Sequence, residues 1–149
     1  MPGNTDTSWT AARLVPELSC SDFDVSLHFF RDILGFSILY DRPEDQFAYL
    51  ERGGAQIMLE QESPHWTTGP REPPYGRGVN FQIEIEDTEA LARALRSAGY
   101  SLFRDIETKW YRMGDRETGN RQFLVQDPDG YLLRFFEDLG TRPARHLTE

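Results

Sequence analysis

The sequence predicts an α+β fold built from two β-α-β-β-β modules, and three observations predict it. Asp22 lies seven residues after Val15, as Asp87 lies seven after Asn80, each Asp closing an apolar-flanked strand and opening a helical run. Both helical runs end on a glycine between apolar residues, Leu34-Gly35-Phe36 and Ala98-Gly99-Tyr100. Gln46-Phe47 and Gln122-Phe123 each precede a turn glycine, Gly54 and Gly130, by eight residues counted from the Gln. Duplicated modules must pair to bury their apolar faces, and the groove between paired modules is a natural ligand site.

The first module is read over 13–61. Residues 13–20 form its first strand, and Val25, Leu27, Phe29, Phe30, Ile33 and Leu34 carry the spacing of an amphipathic helix over 24–34. Asp22 or Asp24 caps this helix, and Gly35 supplies its left-handed stop. Three strands follow, Phe36 to Tyr40, Phe47 to Glu51 and Gln56 to Gln61, with Gly53-Gly54 as the hairpin turn between the last two.

The second module, 78–138, repeats the order. Val79, Phe81, Ile83 and Ile85 alternate with Asn80, Gln82, Glu84 and Glu86, the period of a strand with two unlike faces. A helix over Thr88 to Ala98 gathers Leu91, Ala94, Leu95 and Ala98 on one side, capped by Asp87 or Thr88. Strands at Tyr100 to Ile106, Arg121 to Gln126 and Tyr131 to Glu137 complete it, the last pair joined by the turn Asp127-Pro128-Asp129-Gly130.

Between the modules, 62–77 contains four prolines and cannot enter a sheet interior. His65, Trp66 and Tyr75 make this linker either a flap over the groove or a strap with its aromatics tucked against a sheet. Residues 1–12 and 139–149 are read as flexible ends. The whole reads as a single domain over 13–138, long enough at 149 residues to bury a core without metals or disulfides.

Composition narrows the function classes. A single cysteine, Cys20, rules out an internal disulfide, and the polar start and lack of long apolar runs give neither signal peptide nor membrane span. The expectation is a cytoplasmic protein with no membrane partner. Sixteen basic against twenty-five acidic side chains give −9, a charge that repels nucleic acid and attracts cations. Cys20 has no patterned histidine beside it, and no glycine run has phosphate-loop spacing. The sequence therefore assigns no catalytic residue.

The stretch SerAspPheAspValSerLeuHisPhePheArgAspIleLeuGlyPhe in the first module, with ValGlnAspProAspGlyTyrLeuLeuArgPhePheGlu closing the second, resembles the vicinal-oxygen-chelate superfamily over residues 13–138. That family holds glyoxalases, ring-cleaving dioxygenases, fosfomycin-modifying enzymes and bleomycin-resistance proteins. The resemblance implies mixed sheets forming a groove, the glyoxalase/bleomycin resistance fold. It also implies one metal ligand from the first and one from the last strand of each module, mostly His and Glu. Carried over by the Asp and Gly anchors, those positions are Val15, Met58, Asn80 and Arg134. Val is apolar, Met offers only a soft sulfur, Asn one neutral oxygen, and a guanidinium repels a cation. The usual metal site is absent, and no cofactor is expected. A shifted set, Glu17, Glu60, Gln82 and Glu84, shares faces with these positions by strand period. His28, His65 and His146 sit off the groove strands.

What the resemblance then implies is a metal-independent binder like the bleomycin-resistance proteins, a homodimer sequestering a planar or cationic antibiotic in a groove at the dimer interface. The residues expected to line it are Phe47, Tyr49, Met58, Trp66, Asn80, Trp110, Tyr111 and Arg134. Phe47 and Tyr49 alternatively belong to the core. Arg134, on a central strand, needs an acceptor: Glu60, Glu84, Glu17, or an anionic ligand group. The rival reading is a family enzyme, a lyase, isomerase or dioxygenase, acting on a small acidic metabolite through a shifted metal site or metal-free acid/base chemistry.

Overall fold

The computed structural model describes residues 8–145. Among these, one compact unit comprises residues 8–78 with Asp127–Tyr131, and a second comprises residues 79–126 with 132–145. Each unit holds one four-stranded mixed sheet, so the repeated module order and the fold class hold.

In the first unit, β1 (Glu17–Cys20) lies parallel to β4 (Ala55–Gln61), which pairs antiparallel with β3 (Phe47–Arg52), and that with β2 (Ser37–Arg42). The strand β1 is shorter than the expected 13–20. Pro16 has no N–H to donate, although its carbonyl still accepts from Met58 N at 2.9 Å. The helical run begins as α1 (Phe23–Leu27), capped by the Asp22 side chain on Val25 N at 3.3 Å. It then widens into a π-helical turn over His28–Ile33, where the structure departs from the expected regular helix. Leu34 N reaches back five residues to Phe29 O at 3.0 Å, and the widened turn buries the adjacent Phe29 and Phe30 completely. Gly53 and Gly54 both have positive φ, the demand of a two-residue I′ hairpin, and they join β3 to β4 as expected.

In the second unit the sheet order is β5 (Asn80–Glu84), β8 (Leu132–Pro143), β7 (Arg116–Gln126), β6 (Arg104–Met113), with β5 and β8 parallel. Helix α2 (Thr88–Ser97) is capped by Asp87 on Ala90 N at 3.0 Å. Its buried face, Leu91, Ala92 and Leu95, belongs to a core with Ile83, Phe123, Val125, Leu133 and Phe135. The Phe123 and Phe135 rings are 5.5 Å apart.

Three strands of this sheet run much further than the sequence suggests. Residues 107–120, read as a polar run, form a long β6–β7 hairpin turned at Gly114-Asp115, and β8 continues to Pro143 through what was expected to be a flexible end. Both faces of this extension carry polar groups, so the alternation that betrays a half-buried strand is missing. Ion pairing and backbone bonds hold it instead: Arg142 Nε contacts Glu117 Oε1 at 2.7 Å, and Ala144 N donates to Asp115 O at 2.9 Å.

Candidate functional site

Strand alternation gives each sheet one face that packs its helix and one that does not. The second kind is where the candidate residues stand, and the two sheets treat it differently.

On the first sheet this face carries Glu17 and Ser19 of β1, Gln56, Met58 and Glu60 of β4, and Phe47 and Tyr49 of β3. The chain covers it with its own N-terminal segment. Trp9 stacks on Tyr40 at 5.9 Å and packs on Tyr49 at 5.3 Å, while Tyr40 and Tyr49 lie 5.1 Å apart and nearly parallel. Arg42 caps Phe47 with its guanidinium carbon 4.0 Å from the ring centre. Gln56 fastens the segment: its Oε1 accepts from Tyr49 Oη at 2.6 Å and from Ala12 N at 2.7 Å, and its Nε2 donates to Thr10 O at 2.9 Å. Residues 9–12, expected to be part of a flexible end, are thus fixed by specific contacts. Phe47 and Tyr49 are 2% and 4% exposed, covered by their own chain. Val15 precedes β1 rather than lying on it, and it packs with Met58 against the Leu39, Phe47 and Tyr49 cluster.

Trp66 is 68% exposed and, with Glu17 and Ser19, lines a cavity of about 260 Å³. The Glu17 carboxyl is raised above its usual range, first by burial, then by the Glu60 charge, with Arg42 opposing. The linker also packs on its own unit: Tyr75 Oη donates to Glu62 Oε2 at 2.9 Å, and Tyr75 and Tyr131 meet edge to face at 5.9 Å. Cys20 is buried, and burial pushes its thiol up to about 12, so it stays protonated and unreactive. His28 pairs with Asp32 at 2.8 Å on the helix surface, His65 lies in a short 3₁₀ turn, and His146 lies outside the described residues.

The corresponding face of the second sheet is mostly polar. It carries Asn80, Gln82 and Glu84 of β5, Arg134 and Phe136 of β8, Gln122 and Leu124 of β7, and Tyr111 of β6. Arg134 donates from Nη2 to Gln82 Oε1, its neighbour across the parallel β5–β8 pairing. The partner is a neutral amide, and Glu84 of the same sheet, one of the acceptors the sequence offered, is not used. The Arg134 Nε is buried without a hydrogen-bond partner, as is Gln122 Oε1. Gln122 Nε2 donates to Tyr111 Oη at 2.7 Å, and the Arg134 guanidinium carbon lies 5.9 Å from the Tyr111 ring centre. Trp110, next to Tyr111, points to the opposite side, against Gly119 and under the Arg142 guanidinium at 3.8 Å.

A divalent cation does not fit the four positions implied for its ligands. Val15 and Met58 are engaged in apolar packing, Asn80 offers a neutral oxygen, and Arg134 brings a fixed positive charge. Among the described residues, no group of three or more His, Cys, Asp or Glu is arranged to hold a metal. The residues that sequence reasoning missed are Trp9, Tyr40, Gln56 and Gln122. Tyr40 and Tyr49 are directly paired across β2–β3, a match hidden by the irregular register there. Trp9 had only its isolation in a polar segment as a signal.

Residues 11–135 match the Glyoxalase/Bleomycin resistance protein/Dioxygenase superfamily. A "Bleomycin resistance protein" of Geobacillus stearothermophilus is 28% identical over 134 residues, covering 84% of this chain and 96% of the relative. A "Lactoylglutathione lyase" of Haemophilus influenzae is 28% identical over 131 residues, covering 84% and 91%. A solved structure of a protein of unknown function from Agrobacterium tumefaciens is 25% identical, with a TM-score of 0.64, covering 90% of this chain and all of that one. No described helix is long and apolar enough to cross a membrane.

Proposed function

Because the chain belongs to the Glyoxalase/Bleomycin resistance protein/Dioxygenase superfamily, we propose that it is a metal-independent binder of a small planar molecule, acting as a cytoplasmic homodimer. The observation that carries this reading is the guanidinium of Arg134 at one of the four positions where the resemblance implies a metal ligand. A cation placed beside it meets repulsion of several kcal/mol on the order of magnitude expected at contact distance in a partly dry site. Bleomycin-type antibiotics are the first ligand to test, since a relative carries that name over nearly its whole length. In this reading Asn80, Tyr111 and Arg134 contact the ligand directly. Phe47, Tyr49 and Trp110 contribute to it by stiffening the sheets beneath.

The lyase reading, favoured by one relative's name, needs a set of metal ligands that Val15, Met58, Asn80 and Arg134 do not supply. Two measurements on the purified protein separate the readings. Metal analysis is expected to find no stoichiometric Zn, Ni, Mn or Fe. Quenching of the tryptophans by bleomycin is expected to give a Kd well below about 1 mM, roughly −4 kcal/mol. A tightly held metal ion overturns the metal-free reading, and weaker binding than that overturns the drug assignment.

A further inference from the structure

The face of the second sheet that turns away from α2 contains a group that the structure leaves unfinished. Arg134 is partly buried near the start of β8, yet among the described residues its only polar partner is the amide oxygen of Gln82. Two other arginines on this sheet are paired with carboxylates: Arg121 with Glu89, and Arg142 with Glu117 at 2.7 Å. Glu84 lies on the same face, one alternation beyond Gln82, and does not pair with Arg134. A guanidinium has five donors, and here the buried Nε–H has no acceptor. Leaving such a donor unmet costs free energy that an incoming acceptor returns.

A second donor and an acceptor stand close by. The Tyr111 hydroxyl accepts from Gln122 Nε2 at 2.7 Å and so keeps its own proton to donate. Gln122 Oε1 is buried and has no partner, so it can receive an N–H or O–H. Tyr111 is 37% exposed, and its ring, with Leu124 and Phe136, provides apolar surface beside the charge. The net charge of −9 opposes anions only weakly at long range, because salt screens it beyond about 8 Å while a direct guanidinium contact is little affected.

The geometry points to an oxyanion subsite in which Arg134, with Tyr111, binds the carboxylate of a small planar acid, and Gln122 accepts a hydrogen bond from a neighbouring group of the same ligand. This rests on the binding reading above and gives the ligand's head group: an acid rather than a purely cationic molecule. A carboxylate offers the two coplanar oxygens that a guanidinium fork matches.

The test compares three probes of one shape, 2-naphthoate, 2-naphthylmethanol and 2-naphthylmethylamine, by calorimetric titration of the full chain. The acid is expected to bind at least about tenfold tighter than the alcohol, the effect of one charge-assisted hydrogen-bonded contact. Arg134→Gln removes that preference, Arg134→Lys keeps part of it, and Arg121→Gln, altered on the opposite face, leaves it intact. Circular dichroism and a cooperative urea transition verify that Arg134→Gln is folded. Equal affinity for acid and alcohol overturns the oxyanion subsite while the binding reading stands, as does a preference that survives Arg134→Gln. If none of the three probes binds, both fall.

Discussion

Asp127 offers a sharp test of how the Asp127-Pro128-Asp129-Gly130 turn is held. Its side chain is 5% exposed, and its Oδ1 accepts from Asp129 N and Tyr131 N, both at 2.9 Å. Burial pushes its carboxyl up from an ordinary 3.8 to about 7, against the pull of those backbone donors and helped by the charge of Asp129. An acid with a raised folded pKa stabilises the native state most below its unfolded pKa, and this contribution is lost as pH rises from 3.8 to about 7. At 1.36 kcal/mol per tenfold, the full loss is about 4 kcal/mol, of which about 2–3 kcal/mol falls between about pH 5 and pH 8. Asp127→Asn keeps the Oδ1 acceptor and removes the ionisation. Urea unfolding of both proteins at those two pH values should therefore show the wild type losing about 2–3 kcal/mol more than the variant, every other titrating group being common to the two. Equal losses would refute the argument, and so would an Asn variant less stable than wild type at the higher pH, since the charge would then be stabilising.

Two further outcomes follow from packing. Trp9→Ala removes two ring pairs from the face of the first sheet and is expected to cost about 1–3 kcal/mol in urea unfolding, with Tyr49 becoming more accessible to iodination; an unaltered midpoint would mean that Trp9 rests on the sheet without holding it. At Gly119 an added Cβ would stand 2.7 Å from the Trp110 ring, so Gly119→Ala should displace that ring from under Arg142, red-shift its emission and cost about 1–3 kcal/mol; unchanged emission would contradict the contact.

Much of the fold was legible because capping and turn chemistry are local. Asp22 and Asp87 cap as their spacing implies, and Gly53-Gly54 turns as two adjacent glycines must. The β6–β7 extension was hidden because Lys109, Arg112 and Glu117 belong to a stretch that is polar on both faces, where apolar alternation has nothing to record. At the candidate site, the position of Arg134 was readable but its partner was not. A buried charge ordinarily finds its opposite, so the sequence points to carboxylates as its partners. The parallel register instead sets Gln82 directly across, a neutral acceptor that leaves the charge uncompensated. Trp9 was illegible for a different reason, since a single aromatic in a polar segment carries no periodicity.

The first unit is not contiguous in the chain, and that bears on its assembly. Asp129 accepts from Ser21 N at 3.0 Å and from Tyr75 N at 2.8 Å, and Tyr131 Oη donates to Ser19 O at 3.1 Å. During synthesis, the leading half can form its strands as soon as they emerge, yet these bonds wait until more than fifty further residues have been made. The loop between β1 and α1 is therefore first held by Gln61, which bonds Ser21 O and Phe23 N at 2.9 Å, and is latched a second time only when the trailing half delivers its turn.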